Sequence, residues 1–503
     1  MSQITNNKQI AKNSLYLYIR MGVLMVISLF SVRLLLKNLG VVDYGIYSAV
    51  GGLVVSFSFI SQTLVSASQR FFAIDIGKND SNSLKKTYDA VLLSYVIIVT
   101  IAVILLQTVG RWFVANKMTI PPDRLDTAFI LFQTTIWTFV THILTNPFNA
   151  LIIAHEDMRT YATISLLESI LKLCAALSLM WIPGDRLQIY SILLLVISIA
   201  IFSLYYFVCS RRYDCVTFKI GIDFSKIKHI FSYSSWTIFG TMAGVANNQG
   251  LNILLNVFFG PIFNAAYSIA HQVSGLLSQL SNSFFSAVRP PLTKSYASSS
   301  FEHTHRLFIY STKVLIILLS ITIVPLYILV EDILTIWLGQ VDVHMITFAR
   351  ILFIYVFILS ISAPITTIVQ AAGAVKIYHG LVDGFMLLTL PMSYIAFKLQ
   401  MPPQVALIIM TAVISIAHII RLIILKRYLT YSIKQYFLKL VIPSLVIITA
   451  IGCGCSIIYN SVQQTILQFV AVIIPSTITL AVAFYFFILD SNDRAAIIKM
   501  IKR

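Results

Sequence analysis

Runs of about twenty mostly apolar residues recur from one end of this chain to the other, with only short polar gaps between them. A helix needs about that length to cross the hydrocarbon core of a bilayer. With 58% hydrophobic and 11% charged residues, no stretch has the composition of a water-soluble domain. The chain therefore reads as an all-α polytopic membrane protein. Hydropathy predicts about fourteen spans, at 14 to 36, 44 to 66, 88 to 108, 128 to 153, 161 to 181, 187 to 209, 231 to 258, 263 to 288, 313 to 337, 347 to 370, 378 to 398, 404 to 425, 438 to 459 and 466 to 489. MSQITNNKQIAKN leads straight into the first span without a small-residue cleavage site, and so reads as a retained helix rather than a removed signal peptide.

An even number of spans puts both termini on one side, and the charges say which. Of the 36 Lys and Arg, 25 fall in the tails and loops of the terminal side and seven on the other. By the positive-inside rule the terminal side is the cytoplasm. The same distribution accounts for the net charge of +17 without nucleic acid as a partner. Cys174, Cys209, Cys215, Cys453 and Cys455 have no disulfide or zinc spacing, and Cys453-Gly454-Cys455 reads as small packing residues within a helix.

The chain also resembles itself. LLLKNLGVVDYGIYS (34 to 48) matches ILLNVFFGPIFNAAYS (253 to 268), with Gly40 and Gly260 each seven residues before Tyr47 and Tyr267. NPFNALIIAHEDMRTY (146 to 161) matches APITTIVQAAGAVKIY (363 to 378), with Pro147 and Pro364 each fourteen residues before Tyr161 and Tyr378. The offsets, 220 and 217, agree. They predict two pseudo-symmetric six-helix lobes, residues 1–212 and 213–430, followed by a C-terminal helix pair and tail, 431–503. Copies of six spans insert with the same orientation, related by an axis along the membrane normal, as in alternating-access transporters.

Enzyme chemistry finds little support. There is no phosphate-binding G-x-x-x-x-G-K-[ST] loop, and His155-Glu156-Asp157-Met158-Arg159 lacks the second histidine of a zinc protease. The chain is expected to be a transporter, with no cofactor and no metal.

Charges inside spans are costly, about 2.5 to 3.5 kcal/mol for a lysine at mid-span, and usually face an interior or a wet cavity. In SLLESILKLCAALSLMW, helical spacing gathers Tyr161, Ser165, Glu168, Lys172, Ala175 and Ala176 into one stripe. Two readings of Glu168 and Lys172 stay open. They form a self-neutralising i, i+4 pair, or Lys172 is a cation for an anionic substrate with Glu168 tuning it or taking a proton. Arg20 and Arg421 are intramembrane arginines, either snorkelling or cavity cations. Asp383 either pairs with a neighbouring basic residue or carries a coupling proton. The intramembrane histidines His271 and His418 are either hydrogen-bonded structural residues or groups that titrate near neutral pH, His271 then being a candidate for coupling. In the seventh span Asn248, Asn252 and Asn256 recur every four residues; in the eighth, Gln272, Gln279 and Asn282 lie on one stripe. These amides are expected to line a cavity, with interhelical hydrogen bonding the alternative.

LLLKNLGVVDYGIYSAV, NPFNALIIAHEDMRTYATISLLESILKL and YSIAHQVSGLLSQLSNSFFSAVRPPLTKSYASS resemble the bacterial polysaccharide and O-antigen flippases of the multidrug/oligosaccharidyl-lipid/polysaccharide (MOP) exporter superfamily, related to the MATE transporters. The resemblance implies a V-shaped pair of lobes that flips an undecaprenyl-pyrophosphate-linked oligosaccharide between leaflets of the bacterial inner membrane. Arg20, Lys172 and Arg421 would then form the cationic cavity, with H+ or Na+ as coupling ion and a polysaccharide polymerase and assembly proteins as partners. Four alternatives remain. A MATE-type multidrug antiporter would carry an acid in the first span, where this chain has Arg20. A major-facilitator carrier would carry a charged signature that ASQRFFAIDIGKNDSNSLKK lacks. A flippase for a peptidoglycan lipid precursor and a membrane glycan polymerase complete the set.

Overall fold

The computed structural model describes residues 2–78, 80–216, 224–462, 465–490 and 494, and among them there is no strand. The helices are α1 Ser2–Val55, α2 Ser58–Gly77, α3 Ser81–Asn116, α4 Pro122–Ala154, α5 Met158–Ser178, α6 Arg186–Arg212 and α7 Phe224–Phe259. They continue as α8 Pro261–Ala297, α9 Phe301–Leu338, α10 Val343–Ala371, α11 Lys376–Lys398, α12 Gln404–Leu425, α13 Ile433–Ser461 and α14 Thr465–Phe487. Among the described residues eleven helices are long and apolar enough to cross a membrane. In addition α2, α7 and α8, at 20, 36 and 37 residues, have crossing length. The protein is a multi-pass membrane protein.

Helix α1 is two rods, because Gly40 breaks it at φ +79°. The limb after Gly40 runs through a turn at 56–57 into α2, which ends at Gly77. The same design recurs 220 residues on: α7 stops before Gly260, at φ +89°, and α8 ends at Ala297. Only glycine enters this left-handed region freely, so both copies need it where one rod turns into the next. The other sequence match is equally visible in the backbone. After α4 the chain turns at Glu156 (φ +59°), and after α10 at Gly373 (φ +75°), 217 residues later.

The chain divides into two compact units, Met1–Ala265 and Ala266–Arg503. In the first, α4 packs on α6 and α2, and α1 on α5. Aromatic rings join four of these helices: Phe72 to Tyr88, Tyr88 to Phe148, and Phe148 to Phe202 and Tyr206, with centroids 6.0 to 6.4 Å apart. Helix α7 packs on α1, α2 and α3 and belongs to this unit. The packing boundary therefore falls inside α8, not at the repeat boundary of 212/213. At the start of α8 the Pro261 carbonyl approaches Gly45 so closely that a Cβ there would sit 1.8 Å from its oxygen. In the second unit α10 packs on α9 and α12, and α11 on α12. The C-terminal pair α13 and α14 packs on α9, where Lys313 bonds Asp490 at 2.7 Å and the Tyr459 hydroxyl bonds Asp332 at 2.8 Å.

Candidate functional site

Helix α5 carries the intramembrane ion pair, and its start is held firmly. Asp157 caps it by accepting from the Thr160 amide at 3.1 Å, and Arg212, at the end of α6, donates to Asp157 at 2.5 Å. From there Tyr161, Ser165, Glu168 and Lys172 climb one stripe. Arg20 of α1 lies across its lower half: its Nε donates to the Ser165 hydroxyl at 2.5 Å, and its guanidinium stands 4.6 Å from the Tyr161 ring centre. Further along, the Asn38 amide donates to the Ala176 carbonyl at 3.0 Å. Both contacts advance in the same direction, so α1 and α5 run parallel. Ala175 and Ala176 are buried, and their small side chains allow this approach.

The Lys172 ammonium is 2.6 Å from Glu168, and the two side chains are 43% and 25% exposed. They do not share the apolar outer face, where Leu167 and Ile170 are exposed. Titratable groups of three helices lie within electrostatic range of this stripe: His142 of α4 within range of Glu168 and Lys172, Tyr205 of α6 within range of Glu168, Tyr161 and Arg20, and Tyr47 of α1 within range of Lys172. His142 and Tyr205 are absent from the sequence-based site. The signal for His142 was present, an intramembrane histidine in WTFVTHILTNP of the same kind as His271 and His418. Its partners are 26 and 30 residues away on another helix, which no spacing rule connects.

One end of this cluster is closed by a clamp. Arg124 pairs with Asp43, just past the Gly40 break, and with Asp185, the cap of α6, at 2.8 Å. Thr127 also donates to Asp185, at 2.8 Å, and Arg186 donates to the Asn38 carbonyl at 2.9 Å. Burial alone would raise the Asp185 pKa, but bonds from Thr127, the Gln188 amide and Arg124 outweigh it and hold the carboxyl below its ordinary value.

The other predicted residues are distributed differently. Asn252 and Asn256 are buried in an amide cluster. Asn256 donates to Asn264 at 2.8 Å and accepts from the Thr119 amide at 3.0 Å, while Asn264 donates to Asn252 at 2.8 Å. The hydrogen bonds of these two join α7 to the start of α8 and to the segment before α4, and the Asn252 amide also donates to the Ser48 carbonyl of α1 at 3.2 Å, the interhelical bonding that was the alternative to a cavity lining. Asn248, Gln272 and Gln279 are half-buried, and Asn282 and His271 are exposed.

Arg421 lies in the second unit, only 3% exposed. Its Nε donates to the Tyr378 hydroxyl at 2.9 Å, and one Nη to Ser362 at 3.3 Å. It does not snorkel; it ties α12 to α10 and α11. His418 bonds Ser362 at 2.7 Å in the same cluster. Asp383 pairs with His379 at 2.6 Å across a π-helical turn of α11. Tyr161 and Tyr378, matched in the repeat, thus each hold an arginine, supplied from different helices. Among the described residues no group of three or more His, Cys, Asp or Glu could hold a metal ion, and all five cysteines are free.

No protein-family model matches the chain, and no curated protein matches it. Solved structures do. A lipid II flippase, MurJ, in an inward closed conformation superposes with a TM-score of 0.73 at 15% identity, covering 94% of this chain and 98% of that one. A MATE-family multidrug resistance transporter of the MOP superfamily, in an inward-facing conformation, matches with a TM-score of 0.65 at 14% identity, covering 82% and 99%. A MOP superfamily transporter from Pyrococcus furiosus matches at 0.61, also at 14% identity, covering 84% and 95%. The fold is that of the MOP-superfamily transporters, and the proteins that share it are transporters rather than enzymes.

Proposed function

We propose that this protein is a flippase for an undecaprenyl-pyrophosphate-linked oligosaccharide, an O-antigen or other surface-polysaccharide unit. It carries its cargo from the cytoplasmic to the periplasmic leaflet of a bacterial inner membrane by alternating access, with both termini in the cytoplasm. The observation that carries this reading is the partly exposed stripe of Arg20, Glu168 and Lys172, which holds two cations against one acid within the span region. A pyrophosphate diester carries two negative charges. At equal distance it attracts Lys172 about twice as strongly as the single carboxylate of Glu168 does, and it can therefore displace that partner. The fold is compatible with this reading and with the multidrug antiporter alike, since it is shared with a lipid II flippase over 94% of this chain and with MATE structures over 82 to 84%.

In this reading Arg20 and Lys172 receive the pyrophosphate while the polyprenyl tail stays in lipid. Arg421 positions the helices of the second unit. An H+ or Na+ gradient drives the cycle, and a polysaccharide polymerase uses the product. Depletion of the protein is expected to leave lipid-linked oligosaccharide on the cytoplasmic face, detected by its inaccessibility to an external glycosidase. Unchanged surface glycan after clean deletion, with no second flippase present, would overturn the proposal. Efflux of cationic dyes that depends on Glu168 or Asp383 would favour a multidrug antiporter instead.

A further inference from the structure

Where α12 ends and α13 begins, the chain carries Lys426, Arg427, Lys434 and Lys439, all four exposed. None of them forms an ion pair or a side-chain hydrogen bond among the described residues. From Gly384 to Leu489 the sequence has no Asp or Glu, and the acids on either side are taken, Asp383 by His379 and Asp490 by Lys313. We propose that this turn is a binding site for the phosphate headgroup of an anionic phospholipid in the leaflet on the side of the termini. The proposal does not depend on what the protein transports.

The backbone that presents these cations is held in place. The Tyr431 hydroxyl reaches back across the turn and donates to the Leu422 carbonyl of α12 at 2.5 Å, and Ser432 caps α13 by accepting from the Gln435 amide at 3.3 Å. The buried rings of Tyr431 and Tyr436 both pack on Phe308 of α9, with centroids 5.8 Å apart. Four like charges held on one fixed turn repel one another, and an anion among them removes that cost. Apolar surface on either side makes the anion a lipid rather than a dissolved phosphate. On α12, Ile416, Ile419 and Ile423 are 45 to 53% exposed. Lys426 and Arg427 follow Ile423 at three and four residues, so the cations continue that face. On α13, Lys434 stands four residues before Leu438, and Ile442 and Val446 follow at the same spacing, with these three apolar side chains 46 to 60% exposed. Each face offers side chains for acyl tails and ends in cations for a headgroup. A bound headgroup bridges the end of α12 and the start of α13, and so holds the C-terminal pair at the leaflet surface.

The test titrates phosphatidylglycerol into the full-length protein in an uncharged maltoside detergent and counts bound lipid by native mass spectrometry. Phosphatidylcholine with the same acyl chains is the neutral comparison. The wild type is expected to bind phosphatidylglycerol at least about tenfold more tightly, because each Lys or Arg near an anionic headgroup contributes about fivefold. Lys426→Gln with Arg427→Gln, or Lys434→Gln with Lys439→Gln, should lose most of that preference and bind phosphatidylcholine as before. The control pair Arg289→Gln with Lys294→Gln removes two exposed cations from α8 and should keep the preference. Equal binding of the two lipids by the wild type would overturn the proposal, and that measurement needs no variant. So would a loss in the control pair as large as in the turn pairs, since net charge rather than this turn would then select the lipid. A dimer in the same spectra that the turn variants dissolve would assign the surface to a second copy of the chain, and would overturn it too.

Discussion

Lys172 sits in a balance that a single substitution can tip. Where an i, i+4 ion pair meets water, as the partly exposed pair does in a wet cavity, it contributes only a few tenths of a kcal/mol, so removing it costs folding little while removing the ammonium costs the cargo a contact. Lys172→Ala is expected to insert normally and to lose transport, read as surface glycan restored in a deletion strain. The double variant Lys172→Ala, Glu168→Ala separates the two readings of the pair. A functional cation predicts that activity stays lost, whereas recovery would mean that the pair only neutralises itself. Arg20 is expected to tolerate lysine poorly, with at least about tenfold loss of transport. Lysine, with no guanidinium fork, cannot keep both the hydroxyl bond to Ser165 and the contact over the Tyr161 ring.

At the scale of elements, the turns that close α4 and α10 occupy equivalent places with opposite residue choices. Glu156 pays a steric penalty at φ +59°, and Gly373 at φ +75° does not. Gly373→Ala is expected to destabilise by about 1 to 2 kcal/mol, and Glu156→Gly to stabilise by less than that, because the entropy that glycine loses on folding offsets part of the relieved strain. Melting in detergent should show the two shifts with opposite sign. The turn after α4 also carries the half-buried His155, stacked on Tyr213 with ring centres 4.3 Å apart. Burial holds its imidazole below the ordinary histidine value, so the folded state binds that proton less readily than the unfolded chain. The stabilising effect is complete above about pH 6.5 and is lost as the pH falls below it. The melting temperature is therefore expected to drop between pH 7 and pH 5, and less steeply in His155→Phe, which keeps the stack without the titration.

For the molecule as a whole, the sequence was a good guide to architecture. Helix and span number follow from the length of apolar runs. The repeat follows from Gly40 and Gly260, because a left-handed break tolerates few other residues and so leaves a mark in the chain. The rods overrun the apolar runs, as α3 does at both ends, because polar helix ends emerge beyond the hydrocarbon and hydropathy cannot see them. The amide stripes were less legible. Asparagines four apart on a helix look alike whether they face water or another amide, and Asn252 and Asn256 turned out to face Asn264 and Thr119.

What the sequence determined by itself was what one helix can express: an all-helical membrane chain, its doubling, and the placing of Glu168 and Lys172 on one stripe. What only the tertiary structure decided was the company those residues keep. Arg20 reaches α5 from more than 140 positions away, His142 arrives from α4, and Arg421 is enclosed by Tyr378 and Ser362. Helical periodicity fixes the direction of a side chain relative to its own axis. Which neighbour stands in that direction depends on how several helices pack at once, and that is a property of the whole fold.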